Sequence, residues 1–206
     1  MLSGLKSPLR YPYDNSKIAH IITKLIPPNT NAITSPFFAG GGLELALINQ
    51  GLKIYGHYVR AGIFFVINRC TVKGTVTHGS MMKKHPKFNE YSLLMLKNFK
   101  TNLLKVFYDE SYEDVIDETN ELILCCPPEY SSISALNAND AFFPEKQKID
   151  HKKLSERLFQ KNKWILFLNH HRDLIEIYKQ HNIINIDKFY KETVDEPQYI
   201  LITNGV

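Results

Sequence analysis

The stretch SPFFAGGGLELAL at residues 35–47 decides the fold of this chain. It joins a short apolar run, Ala32–Ile33, to an apolar helical pattern over residues 43–48. A glycine cluster between a strand and a helix lets the backbone approach a ligand closely, because a Cβ there would collide with it. The stretch therefore predicts a strand, a glycine loop and a helix, although an isolated cluster of this kind is as often a tight turn without a ligand.

Strands and helices alternate on both sides of this stretch. A helical pattern precedes it at residues 18–26, and later helices are predicted at 61–70, 152–160 and 172–181. The further predicted strands are Leu52–Gly56, Glu121–Cys126, Trp164–Leu168, Ile183–Ile186 and Tyr199–Thr203. This alternation predicts an α/β fold with a doubly wound, mostly parallel sheet covered on both faces. Ligands bind such sheets beyond the carboxyl ends of the strands, so the loops at 36–42 and 127–130 are expected to open into one crevice.

The composition is that of an ordinary globular chain. Its 206 residues, with 44% hydrophobic and 22% charged, predict a single domain spanning residues 1–206. A net charge of +4 does not by itself indicate a nucleic-acid partner. Neither a run of about 20 apolar residues nor a signal peptide is present, which predicts an intracellular protein, at a cytoplasmic, nucleoid or viral replication site, without a membrane partner.

The cysteine and histidine residues predict no metal site. Cys70, Cys125 and Cys126 are odd in number and fit no zinc-binding spacing, so we expect buried, free thiols. The pair His170–His171 precedes a helical pattern and is expected to cap that helix or lie exposed.

Six short motifs follow one another along the chain. They are PLRYP (8–12), SPFFAGGGLELAL (35–47), FFVINR (64–69), ESYEDVI (110–116), LCCPPEY (124–130) and YILITN (199–204). In this order they resemble the LRYPGGKSK, EPFxGGGSxELAL, FFxxNR, (G/E)(D/S)YExxI, LDPPY and ELLITN segments of the Dam-type adenine-specific DNA methyltransferases. The resemblance extends over nearly the whole chain. It implies the Rossmann-like, doubly wound sheet of an S-adenosylmethionine-dependent methyltransferase, with an antiparallel final strand.

The resemblance also implies a methyl-donor site, but several of its polar residues are replaced. The positions it assigns to this site are Tyr11, Ser35, Pro36, Phe37, Gly40, Gly41 and Tyr58. Ser35 stands where the family has an acidic residue, and Asn15 where it has a lysine. Tyr58 takes the place of an acidic residue of the type that binds ribose hydroxyls. We therefore expect weak binding of S-adenosylmethionine, or none.

The predicted catalytic loop departs from the family in the same way. It consists of Cys126, Pro127, Pro128, Glu129 and Tyr130. The resemblance implies an Asp that accepts protons from the adenine amine and an aromatic residue that stacks on the flipped base. Cys126 and Glu129 occupy these two positions, and a neutral thiol is a weak acceptor. In the alternative, a loop shifted by one residue would use Glu129 as the acceptor and Tyr130 as the stacking ring.

The DNA-recognition region, around residues 60–100, is shorter than the family pattern. The candidate nucleic-acid contacts are Asn68, Arg69, Lys73, Lys83, Lys84 and Lys87. A solvated surface loop explains the lysines equally well. The sequence thus predicts an inactive methyltransferase-like protein that binds DNA or a protein partner, either an active methyltransferase or a second copy of the chain. An active adenine-specific enzyme with atypical catalytic residues is the alternative.

Overall fold

The computed structural model describes the chain in eight segments: residues 15–37, 41–57, 69–70, 86–99, 103–107, 111–130, 149–186 and 199–204. The strands in these segments are β1 Ala32–Ser35, β2 Lys53–His57, β3 Leu104–Phe107, β4 Leu122–Cys125, β5 Trp164–Asn169, β6 Asn182–Asn185 and β7 Tyr199–Thr203. The helices with described bounds are α1 Ala19–Leu25, α2 Gly42–Ile48, α3 Glu90–Asn98, α4 Tyr112–Glu118, α5 His151–Phe159 and α6 Arg172–Tyr178. A 3-10 turn, Asn15–Ile18, leads into α1.

All seven described strands form one mixed sheet in the order β3-β2-β1-β4-β5-β7-β6. Strands β1 to β5 run parallel to one another. Strand β7 is antiparallel to both β5 and β6. The α/β class and the antiparallel final strand are therefore confirmed.

The order of the strands reverses between β1 and β4. The chain proceeds outward from β1 to β2 and β3, then returns to place β4 on the other side of β1. In the register of this pair, Ile33 lies opposite Leu122 and Thr34 opposite Ile123. Both strands therefore end at the same edge, β1 at Ser35 and β4 at Cys125, and the loops that follow begin side by side. This reversal is the position at which open α/β sheets bind their ligands.

The sheet is buried on both faces. Leu122 and Leu124 of β4 belong to a cluster that includes α1 and α2, whereas Ile123 and Cys125 belong to a cluster that includes α4, α5 and α6. Successive side chains of a strand point to opposite faces, so a strand covered on both sides needs an unbroken apolar run. The sequence LILC of β4 is such a run, and all four of its residues are buried.

The starts of four helices are fixed by their own side chains. Asn89 and Ser111 form capping boxes at α3 and α4. Asp150 accepts backbone N–H groups at the start of α5. His171 caps α6 by accepting the N–H of Asp173 at 3.2 Å, which confirms the capping role expected for this histidine. Each cap satisfies backbone donors that have no partner within the helix.

Strand β3 and helices α3 and α4 have no counterpart with stated bounds in the sequence expectation, since short elements between polar segments carry too short a pattern. Of the helix expected at residues 61–70, only Arg69 and Cys70 lie in the described segments, and both are helical. None of the described helices combines the length and apolar character required to cross a membrane.

We predict that the two-sided burial of β4 provides much of the stability. Replacing Leu124, which is 0% exposed, with Ala should lower the free energy of unfolding by about 2–5 kcal/mol, because the change leaves a cavity in the core. Leu94 of α3 is 52% exposed, and the same change there should alter it by about 0.5 kcal/mol or less. Urea unfolding of both variants measures the difference. Equal losses would contradict the central position of β4.

Candidate functional site

The first side of the crevice is formed where β1 leads into α2. Ser35 is the last residue of β1 and is fully buried, so it belongs to the strand and not to the loop. Pro36 is buried and Phe37 half-buried, whereas Gly40 lies outside the described residues. Gly41 precedes α2 with φ 69°, a left-handed conformation that other residues rarely adopt. The glycine is therefore required by the turn itself.

A buried carboxyl group lies directly beside Ser35. The Ser35 hydroxyl donates a hydrogen bond of 2.8 Å to Oε1 of Glu44, in the first turn of α2. Glu44 is only 3% exposed, and burial raises its pKa to about 7, against the smaller opposing effects of hydrogen bonds from Ser35 and its own backbone. Glu44 was not among the site residues predicted from the sequence. A polar residue among the apolar positions of a short helix was the signal that could have identified it.

The second side of the crevice is formed by the end of β4. Cys125 and Cys126 are buried, free thiols, as predicted, and they belong to the clusters on opposite faces of the sheet. Burial raises the pKa of both, and for Cys126 the nearby Glu44 raises it further, followed by Cys125. Cys126 is therefore a neutral thiol near neutral pH. Glu44 therefore connects Cys126, a candidate catalytic residue, with Ser35, a residue of the candidate methyl-donor site.

Beyond Cys126 the loop is held by the last strand. Pro127 is half-buried, while Pro128 and Glu129 are exposed. The Tyr199 hydroxyl of β7 donates a hydrogen bond of 2.9 Å to Oε1 of Glu129. The Tyr199 ring in turn stacks on Phe167 of β5, with ring centroids 5.2 Å apart. The carboxylate of Glu129 is thus engaged by β7.

Tyr130 is held by groups at the ends of β5 and α6. Its backbone makes two hydrogen bonds with the side chain of Asn169, and its hydroxyl donates to Asp173 at 3.1 Å. Its ring packs edge-on against His151 and His171, with centroids 5.5 and 4.7 Å away. Asn169 and His151 were not predicted, because their proximity to Tyr130 arises only from the sheet order.

His151 is the least satisfied polar side chain of this group. It is 4% exposed, and within the described segments neither of its ring nitrogens has a hydrogen-bond partner. Burial lowers its pKa to about 4, with a smaller opposing effect from Asp150. The imidazole is therefore neutral at physiological pH.

The remaining predicted site residues cannot be placed in the crevice. Tyr11, Tyr58, Asn68, Lys73, Lys83 and Lys84 lie outside the described residues. Arg69 is half-buried in a helical pair, and Lys87 is exposed in a turn before α3. Among the described residues, no group of three His, Cys, Asp or Glu side chains is arranged to hold a metal ion.

Comparison with protein-family models gives no match, and a search among curated proteins finds no relative. The assignment of a function therefore depends on the motifs and on the geometry of the crevice.

We predict that the buried carboxyl of Glu44 makes stability depend on pH. Its folded-state pKa of about 7 lies above the ordinary 4.5, so the folded protein retains the proton. The proton on Glu44 stabilises the folded protein fully below pH 4.5. This stabilisation, on the order of 3 kcal/mol, is lost as the pH rises through 7. Buried His151, whose pKa is lowered to about 4, stabilises the folded protein increasingly as the pH rises through the same range, so the contribution of Glu44 is measured as the difference between the parent and Glu44→Gln, whose side chain stays neutral. Relative to this variant, the parent should lose the full amount between pH 4.5 and 8.

Urea unfolding between pH 4.5 and 8 measures this effect. Glu156→Gln, at an exposed position of α5, is the matched control and should keep the pH dependence of the parent. If Glu44→Gln also keeps it, the carboxyl of Glu44 is ionised in the folded protein and the prediction is wrong.

Proposed function

We propose that this chain is an adenine-specific DNA methyltransferase-like protein that has lost methyl transfer and acts as a DNA-binding or partner-binding module. The observation that carries the proposal is the neutral, buried thiol of Cys126 at the strand-order reversal. A working enzyme of the family pattern requires a carboxylate at this position. Its partner is DNA, an active methyltransferase or a second copy of the chain, in an intracellular setting.

The sheet supports the methyltransferase part of the proposal. Its parallel strands follow the order 3-2-1-4-5 of a doubly wound nucleotide-binding sheet. The antiparallel final strand agrees with the resemblance to the adenine methyltransferases. The glycine loop and the Pro-Pro loop begin beside each other at the ligand-binding edge, as a shared site for donor and adenine requires.

The chemistry of the crevice supports the loss of activity. The exocyclic amine of adenine is a poor nucleophile, and its protons must be accepted as the methyl group arrives. The Cys126 thiol supplies no negative charge, and Glu129 is hydrogen-bonded to Tyr199. Loss of one such polar stabiliser typically reduces a rate by about a hundredfold or more.

The residues present fit S-adenosylmethionine poorly. The family's acidic position at the start of the glycine loop is Ser35, whose hydroxyl is already donated to Glu44. Burial holds the Glu44 carboxyl partly protonated near neutral pH, so it offers only a fraction of a negative charge. A charge-assisted hydrogen bond contributes roughly 1.5–3 kcal/mol to binding, and S-adenosylmethionine would lack such a contact here.

Two features of the crevice favour an active enzyme instead. The carboxyl of Glu44 lies within electrostatic reach of Cys126, and Tyr130 offers an aromatic ring one residue after the family position. In that case Glu44 or Glu129 would have to accept the protons of the amine. Both carboxyls are therefore included in the test.

We predict no measurable methylation of duplex DNA by the parent protein. The assay is transfer of a labelled methyl group from S-adenosylmethionine to adenine-rich DNA, with donor binding measured by calorimetry. Cys126→Ala is the matched control, since it removes the thiol without adding a charge. The variant Cys126→Asp with Glu129→Tyr and Tyr58→Asp restores three family residues.

Each outcome of this assay decides between the alternatives. No labelling by the parent, with labelling by the restored variant, supports an intact crevice whose chemistry alone was lost. Labelling by the parent that disappears in Glu44→Gln or Glu129→Gln would instead identify an active enzyme with an atypical proton acceptor.

We predict weak, sequence-independent DNA binding through the basic stretch at residues 71–87. Binding through phosphate contacts should fall steeply as salt rises, because each contact releases counterions. Changing Lys83, Lys84 and Lys87 together to Ala should reduce affinity for every duplex alike and flatten the salt dependence. Fluorescence anisotropy at several salt concentrations measures both, and Lys152→Ala, at an exposed position of α5, is the control. A parent that binds no duplex even at low salt would refute the DNA-binding role.

A further inference from the structure

The loop after β4 is held by three elements that come later in the chain. Tyr199 of β7 binds the side chain of Glu129, and Asp173 of α6 accepts the hydroxyl of Tyr130. Asn169, the last residue of β5, binds the backbone of Tyr130. Of the three contacts, only that of Asn169 is made to the main chain. It therefore determines the position of the Tyr130 backbone.

The carboxamide of Asn169 pairs with both backbone groups of one residue. Its Oδ1 accepts the Tyr130 N–H at 2.8 Å, and its Nδ2 donates to the Tyr130 carbonyl at 3.0 Å. A carboxamide offers an acceptor and a donor in one plane, so it can pair with the N–H and the carbonyl of one residue at the same time. Two hydrogen bonds to a single residue restrict both its position and its orientation.

The direction of the Tyr130 ring follows from this pairing. With its backbone fixed, the ring lies between His151 and His171, and its hydroxyl reaches Asp173. Partial burial and the contact with Asp173 raise the pKa of the phenol, so Tyr130 is a neutral aromatic group at physiological pH. The family pattern has its aromatic residue at position 129, which is Glu129 here.

We propose that Asn169 is the positioning residue of this loop, and that by fixing Tyr130 it provides the crevice with the aromatic surface that position 129 no longer supplies. The effect on nucleic-acid affinity rests on the proposed function, whereas the effect on Tyr130 itself does not. Stacking on an aromatic residue contributes substantially to the binding of single-stranded bases. Loss of Asn169 should therefore weaken that binding through Tyr130.

Asn204, which follows β7 and binds the backbone at the start of β5, provides a matched control. Its Oδ1 accepts the N–H of Trp164 at 3.0 Å, and its Nδ2 donates to the carbonyls of Lys161 and Asn162. Asn169→Ala and Asn204→Ala therefore each remove a carboxamide that pairs with backbone. We expect similar losses of stability in urea from both variants, but only Asn169→Ala changes the loop.

The first readout is the environment of the Tyr130 ring. The protein is labelled with 3-fluorotyrosine, and the resonance of Tyr130 is assigned as the one that disappears in Tyr130→Phe. We expect this fluorine resonance to shift in Asn169→Ala and to stay in place in Asn204→Ala. An unchanged resonance in Asn169→Ala would show that the other contacts hold the ring, and would overturn the proposal.

The second readout is affinity for an adenine-rich single-stranded DNA oligonucleotide. Asn169→Ala and Tyr130→Ala should each bind about tenfold more weakly than the parent, and the double variant no more weakly than Tyr130→Ala. A further loss in the double variant would mean that Asn169 does not act through Tyr130. If the parent binds no oligonucleotide, Tyr130 does not serve as an aromatic surface for bases and that part of the proposal is wrong, whereas the fluorine resonance decides separately whether Asn169 positions Tyr130.

Discussion

The parallel pairing of β1 with β4 is the constraint on which the rest of the structure depends. It brings together two strands separated by some 85 residues of chain and fixes their ends at one edge of the sheet. Each strand is buried on both faces. A shift of the register by one residue would therefore turn the side chains that face one hydrophobic cluster toward the other cluster, which has a different shape. The position of Ser35 relative to Cys126 is therefore a result of packing and does not require a ligand.

Burial also controls the charges in the crevice. The groups nearest the strand ends are a hydroxyl, a carboxyl held partly protonated, and a neutral thiol. Removal from water disfavours the ionised form of each acid, and no described cation lies among the groups that influence Cys126 or Glu44. The ends of β1 and β4 lie where open α/β sheets bind their ligands, but the groups nearest these ends carry little negative charge.

Local patterns predicted the elements better than they predicted the contacts of the site. The glycine loop, the apolar run before Pro127 and the cap at His171 are encoded within a few residues, and the sequence identified each of them. The pairing of Tyr130 with Asn169 joins residues that lie 39 apart, and it depends on β5 lying beside β4. Glu44 escaped notice for a similar reason, because its place among the apolar residues of α2 indicates burial only when that face of the helix is known to pack against the sheet.

The alternation of side chains along β4 has a consequence for oxidation. Cys125 and Cys126 are adjacent in sequence but lie in the clusters on opposite sides of the sheet. Their sulfur atoms therefore cannot join in a disulfide without disrupting the strand end. An oxidant that reached either thiol would instead convert it to a sulfenic or higher acid, a polar group in an apolar cluster. Oxidative damage at this position would thus be seen as a loss of folded protein and not as a new cross-link.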